Sequence, residues 1–475
     1  MFEDYDEHDA VGLAEMVRKG DVTPEHLLEE AIKRVEERDP AFNAVVNKLY
    51  EHARDAIRAG LPDGPFRGVP LVLKDLNALY KGAITSNGSR FFRDNLADHD
   101  TELVARYRRG GLVVFGKTNT PEFGLTITTE PVLFGATRNP WNRNYSAGGS
   151  SGGAAAAVAA GLVPAAHASD GGGSIRIPSS CCGLFGLKPT RGRNPSGPDR
   201  GEGWSGMGTE HVVTRSVRDS AALLDLTCGP DLGAPYFATA PHRSFSSELQ
   251  VEPGRLRIAF ATRTPAGEKV APECEQAVTE TARLLEGLGH RIEESRLDFV
   301  PEELGVGFRT IIAGNTRVAV DNHAAKSGRK PAAEAFEKIT WLMYESGTAA
   351  TASDYARAVQ TLHRTGRLVA QFFERYDLLL TPTLPRPPEK LGVFDMNTEN
   401  VEAYSRAVSL FTAFTAPFNA SGNPAMSVPL HWSPDDLPIG VQFAGRYGDE
   451  ATLLRLAAQL ERARPWFQRR PPFRT

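Results

Sequence analysis

Two glycine-serine clusters have the residue types and spacing for acyl-transfer chemistry. One is Gly148-Gly149-Ser150-Ser151-Gly152-Gly153, and the other is Asp170-Gly171-Gly172-Gly173-Ser174-Ile175-Arg176. Glycine this dense loses much backbone entropy on ordering, which weighs against two loops with a purely structural role. Runs of glycine also let successive N–H groups turn toward one point. Amides of Gly171, Gly172 and Gly173, just ahead of Ser174, can form an oxyanion hole beside a nucleophile. A phosphate-binding loop is the competing reading. It wants a helix directly after the loop, and Pro178 follows at once.

A serine hydroxyl needs a base to attack a carbonyl at neutral pH. The nearest histidines, His167 and His211, sit in no obvious triad motif. A lysine can serve when it is neutral, and burial favours the neutral amine. Lys74 ends the apolar run Val69-Pro70-Leu71-Val72-Leu73. From the pattern alone, a solvent-facing lysine at a strand end is the favoured reading.

Three short motifs point elsewhere and fail on context. Gly111-Leu112-Val113-Val114-Phe115-Gly116-Lys117-Thr118 matches the P-loop pattern, but its spacer is itself an apolar, β-branched strand and Pro121 follows closely. A core strand ending in a lysine is the better reading. Gly148-Gly149-Ser150-Ser151-Gly152 matches the nucleophile elbow of α/β-hydrolase esterases. That elbow needs a buried strand before it, whereas Arg138 to Tyr145 is polar and contains Pro140. Ser327-Gly328-Arg329-Lys330 matches a β-lactamase tetrad that recurs by chance.

The elements that must position these residues read as alternating helix and strand. Thr23 and Pro24 open a helix whose apolar face is Leu27, Leu28, Ala31, Ile32 and Val35. Val69 to Lys74 and Leu112 to Phe115 read as strands, with a helix from Glu102 to Arg109 between them. Further strands are expected at 257–260, 377–381 and 439–443, with helices at 275–288 and 450–463 and an irregular helical stretch at 300–350. Residues 231–254 read as a surface excursion. The pattern predicts an α/β fold with a largely covered sheet. Apolar strands near both ends of the chain argue for one sheet and one domain.

The bulk numbers exclude several classes. The 475 residues carry a net charge of −4, with no basic field for nucleic acid. The Ala-rich stretch Ala154 to Val163 is too short to span a bilayer. Met1 to Glu7 is acidic and lacks the basic, apolar pattern of a secretory signal, so a cytoplasmic location is expected. Cys181, Cys182, Cys228 and Cys274 show no metal-site spacing and read as reduced, mostly buried thiols.

A strand ending in Lys74-Asp75, then G-G-S-S-G-G, then G-G-S-I-R-I-P resembles the amidase signature family. Phe134 to Trp141, Cys182 to Thr190, Asn423 to Pro429 and Leu437 to Gln442 resemble it too, and the two serines stand 24 residues apart, as in that family. The resemblance implies a single domain over 1–475, with a central mixed β-sheet covered by helices on both faces. The signature core would lie at 66–225, and a variable substrate-pocket region at 231–350. It implies amide hydrolysis through an acyl-enzyme on Ser174, with Ser150, held by a cis peptide bond, and neutral Lys74 as proton relay. It also implies an oxyanion hole at Gly171, Gly172 and Gly173, and supporting roles for Ser151, Asp170 and Arg176.

The implied partner is a small-molecule amide, with no cofactor, metal, nucleic acid or membrane; a homodimer is compatible with the family. The triple glycine, Cys181-Cys182 and Gly201-Glu202-Gly203-Trp204 resemble the branch containing 6-aminohexanoate cyclic-dimer hydrolase. Gly171 departs from the β-branched or hydroxyl residue common in the family. Acyl selection would fall to 120–135, 200–210 and 305–345, with Phe308, Asn315, Trp341 and Tyr344 as pocket candidates. An amidotransferase subunit working with partner proteins and tRNA is the alternative within the family. Arg191 to Gly197 does not resemble that subunit's continuation.

Overall fold

The computed structural model describes residues 3–472. Its strands, in chain order, are β1 (Val45–Lys48), β2 (Pro70–Lys74), β3 (Val113–Thr118), β4 (Arg138–Asn139), β5 (Asn142–Ser146), β6 (Ala165–Asp170), β7 (Phe185–Lys188), β8 (Thr209–Thr214), β9 (Arg257–Phe260), β10 (Arg291–Glu294), β11 (Leu378–Pro382), β12 (Ala425–Trp432) and β13 (Pro438–Gly445). Eleven of them form one sheet, in the order β1-β3-β2-β6-β8-β7-β12-β13-β11-β9-β10. The sheet is mixed. β2 runs parallel to β3 and β6, and β9 runs parallel to β10 and β11. β4 and β5 form a separate ribbon.

Every residue of β2, β3, β7, β11 and β13 is buried. Successive strand residues point to opposite faces, so burial at every position requires cover on both. Helices supply it. The helix Pro24–Arg38 starts as its sequence predicts: the Thr23 hydroxyl accepts the His26 N–H, Pro24 opens the first turn, and the expected apolar face is buried. The Ala-rich stretch is no membrane span but the helix Gly152–Ala159, buried along its whole length. Its small residues permit close approach. A Cβ at Gly153 would fall 2.4 Å from the Asn119 backbone nitrogen. Among the described residues no helix is long and apolar enough to cross a membrane.

The helices Glu102–Arg109 and Glu450–Ala463 and strand β9 match their sequence readings. The irregular stretch after residue 300 resolves into the helices Pro301–Ser327 and Lys338–Ala349, parted by Gly328 in the left-handed region. The P-loop look-alike is β3, with Lys117 buried near its end.

One expectation is overturned. A helix, Arg176–Cys182, does follow the second glycine cluster despite Pro178. Pro178 lies in its first turn, where the missing N–H has no intrahelical acceptor to lose. Pro178 therefore gives no ground for rejecting a phosphate loop there.

Candidate active site

β2 delivers Lys74 to the middle of the molecule, between β3 and β6. The lysine is completely buried, which overturns the solvent-facing reading. Its Nζ lies 2.7 Å from Ser150 Oγ and 3.0 Å from Ser169 Oγ. Burial pushes the amine down to about 7, against the charges of Glu210 and Asp170. Both neighbours are hydroxyls, which can donate as well as accept. A neutral amine is therefore satisfied here. Lys117 is also buried. Its Nζ donates to the Ala78 carbonyl at 2.5 Å and to Thr85 Oγ1 at 2.9 Å. Burial lowers the Lys117 amine to about 8, against the charge of Asp75.

The surroundings of Lys74 were not legible beforehand. Its own N–H donates to His167 Nδ1 at 3.2 Å. The imidazole proton therefore sits on Nε2, 3.3 Å from the Glu210 carboxylate. Burial lowers the His167 pKa. Burial works to raise the Glu210 carboxyl, yet the His167 hydrogen bond and the Arg200 charge hold it below its usual value. Ser169, His167 and Glu210 carry no motif, and only the pairing of β6 with β8 brings them together.

The Gly149–Ser150 peptide is cis, and Ser150 is buried ahead of the helix Gly152–Ala159. Ser151 Oγ, also buried, lies 3.2 Å from the Ser169 carbonyl oxygen and 3.3 Å from its nitrogen, linking the first serine cluster to β6.

β6 ends at Asp170, and the second cluster turns over its carboxylate. Asp170 accepts the N–H of Gly173 at 2.7 Å and of Ile175 at 3.1 Å. Arg176 grips it with two hydrogen bonds, at 3.0 and 2.9 Å, and both side chains are fully buried. Burial alone would raise the Asp170 carboxyl, but Arg176 outweighs it and holds the group at about 2. The remaining guanidinium donors reach the Thr415 carbonyl, Gln442 and Asn419. Asn419 in turn donates to Asp170. This network sets the shape of the glycine loop. Removing one partner of a buried ion pair costs about 3–5 kcal/mol. Arg176→Met is therefore expected to lower the chemical denaturation midpoint sharply or to yield insoluble protein. Lysine should rescue little, because it lacks the fork. A wild-type denaturation curve for Arg176→Met would contradict this reading of the network.

The network also amends the expected oxyanion hole. The Gly173 N–H is committed to Asp170 and is not free for substrate. The N–H groups of Gly171, Gly172 and Ser174 donate to no protein acceptor among the described residues. Ser174 is partly exposed, and its hydroxyl likewise makes no protein hydrogen bond there. Lys74 and Ser150 are thus already joined, while Ser150 and Ser174 are not hydrogen-bonded.

The pocket candidates separate. Phe308 borders the glycine loop: a Cβ at Gly172 would lie 3.9 Å from its ring. Asn315 donates to the Tyr355 hydroxyl at 3.0 Å. Trp341 and Tyr344 join Phe336 in an aromatic cluster that includes Phe123. The next residue, Gly124, abuts Ser150, since a Cβ there would lie 3.1 Å from Ser150 Oγ.

The fold is the amidase signature fold, and the Amidase family model matches residues 26–454. The chain belongs to that family and is an enzyme acting on amide C–N bonds. It is 40% identical to the 6-aminohexanoate-cyclic-dimer hydrolase of Pseudomonas sp. (strain NK87), over 98% of this chain and 96% of the relative. A solved structure of 6-aminohexanoate cyclic dimer hydrolase complexed with substrate superposes with a TM-score of 0.92 at 39% identity, covering 99% of both chains. A bacterial aryl acylamidase of the amidase signature family superposes at 0.87 with 27% identity, covering 97% of both.

Proposed function

We propose that this chain hydrolyses small aliphatic amides, cyclic as well as linear, through an acyl-enzyme on Ser174. The observation that carries the reading is the fully buried Lys74, hydrogen-bonded to Ser150 at 2.7 Å. Substrate binding turns the Ser174 hydroxyl toward Ser150. Ser174 Oγ attacks the carbonyl carbon, its proton passes to Ser150, and the Ser150 proton passes to neutral Lys74. The carbonyl oxygen becomes an oxyanion facing the N–H groups of Gly171, Gly172 and Ser174. Each key donor of this kind contributes about 3–4 kcal/mol to the transition state. The Lys74 ammonium then returns a proton through Ser150 to the leaving nitrogen, and the C–N bond breaks. Water enters the same cycle in place of the amine and releases the carboxylic acid.

The aliphatic preference is supported by the similarity to the cyclic-dimer hydrolase and by the apolar rings beside the glycine loop. The test is a panel of hexanamide, a 6-aminohexanoate linear dimer, its cyclic dimer and a matched ethyl ester, with release of acid and amine followed by mass spectrometry. Cleavage of the amides at rates comparable to or above the ester is expected. Turnover of the ester alone would overturn the proposal.

A further inference from the structure

We propose that Trp204 occupies the space of the missing Gly171 side chain and sets which acyl groups fit beside the scissile carbonyl. The inference rests on the acyl-enzyme reading above. A Cβ built at Gly171 would stand 2.7 Å from Trp204 Cζ3 and 2.8 Å from Cε3. Real Cβ atoms do not approach ring carbons so closely, so the indole and a side chain at position 171 exclude each other. Trp204 is half-buried, and it packs in an apolar cluster that also includes Met207 and Phe308.

The ring is held there. Trp204 has φ +51°, an unfavourable conformation for a bulky residue, which persists only when its surroundings enforce it. The turn is closed by the Gly208 N–H to the Gly203 carbonyl at 2.9 Å and by the Met207 N–H to the Trp204 carbonyl at 3.2 Å. Next to it, Ser205 Oγ meets the Tyr355 hydroxyl at 2.8 Å, which ties the turn to the helix Ala352–Arg375.

The position matters because the Gly171 N–H is one of the amides that face the oxyanion. A carbonyl oxygen bound there brings the acyl α-carbon, two bonds from that oxygen, close to the residue that the indole borders. Unbranched acyl chains pass along a flat ring. A substituent on the α-carbon meets it.

The experiment measures kcat/KM for hexanamide and 2-ethylhexanamide, by ammonia release, on wild type, Trp204→Ala, Gly171→Ala and the double variant. Trp204→Ala is expected to shift the branched-to-straight ratio by about tenfold or more toward the branched substrate, the scale on which pockets discriminate small apolar groups. Gly171→Ala should cost much activity in wild type and about tenfold less in the Trp204→Ala background, because the two residues compete for one space. Trp204→Phe should give an intermediate ratio, which keeps the test open if the alanine variant misfolds. An unchanged ratio in folded Trp204 variants, or an equal cost of Gly171→Ala in both backgrounds, would overturn the inference. Fluorophosphonate labelling of wild-type Ser174 separates the two failures. A labelled Ser174 with an unchanged ratio sinks only the role of Trp204, whereas no label at Ser174 removes the acyl-enzyme reading and this inference with it.

Discussion

Ser174→Ala is expected to lower kcat/KM for a small amide by about 10⁴- to 10⁶-fold, the range seen when a serine nucleophile is removed. Residual catalysis should come from the oxyanion donors and from binding, which do not need the hydroxyl. The structural cost should be small. Ser174 is partly exposed and its hydroxyl bonds no protein group among the described residues, so no buried partner is orphaned there. A stability change within about 0.5 kcal/mol is expected, as for ordinary surface substitutions. Kinetics and thermal unfolding on the same preparation check both halves. Activity within tenfold of wild type, on folded protein, would remove Ser174 from the chemistry.

Lys74→Met is the second large effect. It should lower kcat/KM by at least about 10²- to 10⁴-fold, the usual scale for loss of a positioned base. The pH profile gives the sharper test. Burial holds Lys74 at about 7, so its protonated form dominates below that pH and cannot accept the Ser150 proton. Wild-type kcat/KM should rise tenfold per pH unit on the acid side, reach half its maximum near pH 7, and level off above. At pH 5 the neutral fraction, and with it the rate, should be about one hundredth of the plateau. In Lys74→Met the residual activity should lose this limb. If the limb persists unchanged in the variant, another group controls it, with His167 the first to examine.

Much of the scaffold was legible because its signals are local. Glu102 to Arg109 has a charged, amphipathic helical repeat and a glycine stop, and Glu450 to Ala463 is as regular. Arg257 to Phe260 is a short apolar run bounded by turns. β6 was not legible. Ala-Ala-His-Ala-Ser-Asp has little intrinsic strand preference, and it is a strand because β2 and β8 offer it ladders on either side. β10, with Arg291, Glu293 and Glu294, carries little apolar signal and pairs only at the sheet edge with β9.

The site divides in the same way. Lys74, Ser150 and Ser174 lie in recognisable motifs, and Asp170 and Arg176 are close enough in sequence to suggest a pair. The burial of Lys74 depends on strands and a helix up to about ninety residues away, so its own neighbours suggested the opposite. Asn419 and Gln442 come from the far end of the chain to finish the Arg176 network. The loss of Gly173 as a free donor follows from where the Asp170 carboxylate lies, which glycine spacing cannot reveal.

Covalent labelling with a fluorophosphonate probe, read by intact mass and peptide mapping on wild type, Ser174→Ala and Lys74→Met, tests whether Ser174 is the nucleophile. One adduct per chain is expected, on Ser174, absent from Ser174→Ala and formed much more slowly in Lys74→Met. An adduct on Ser150 or Ser151, or no adduct on folded wild-type protein, would contradict that role.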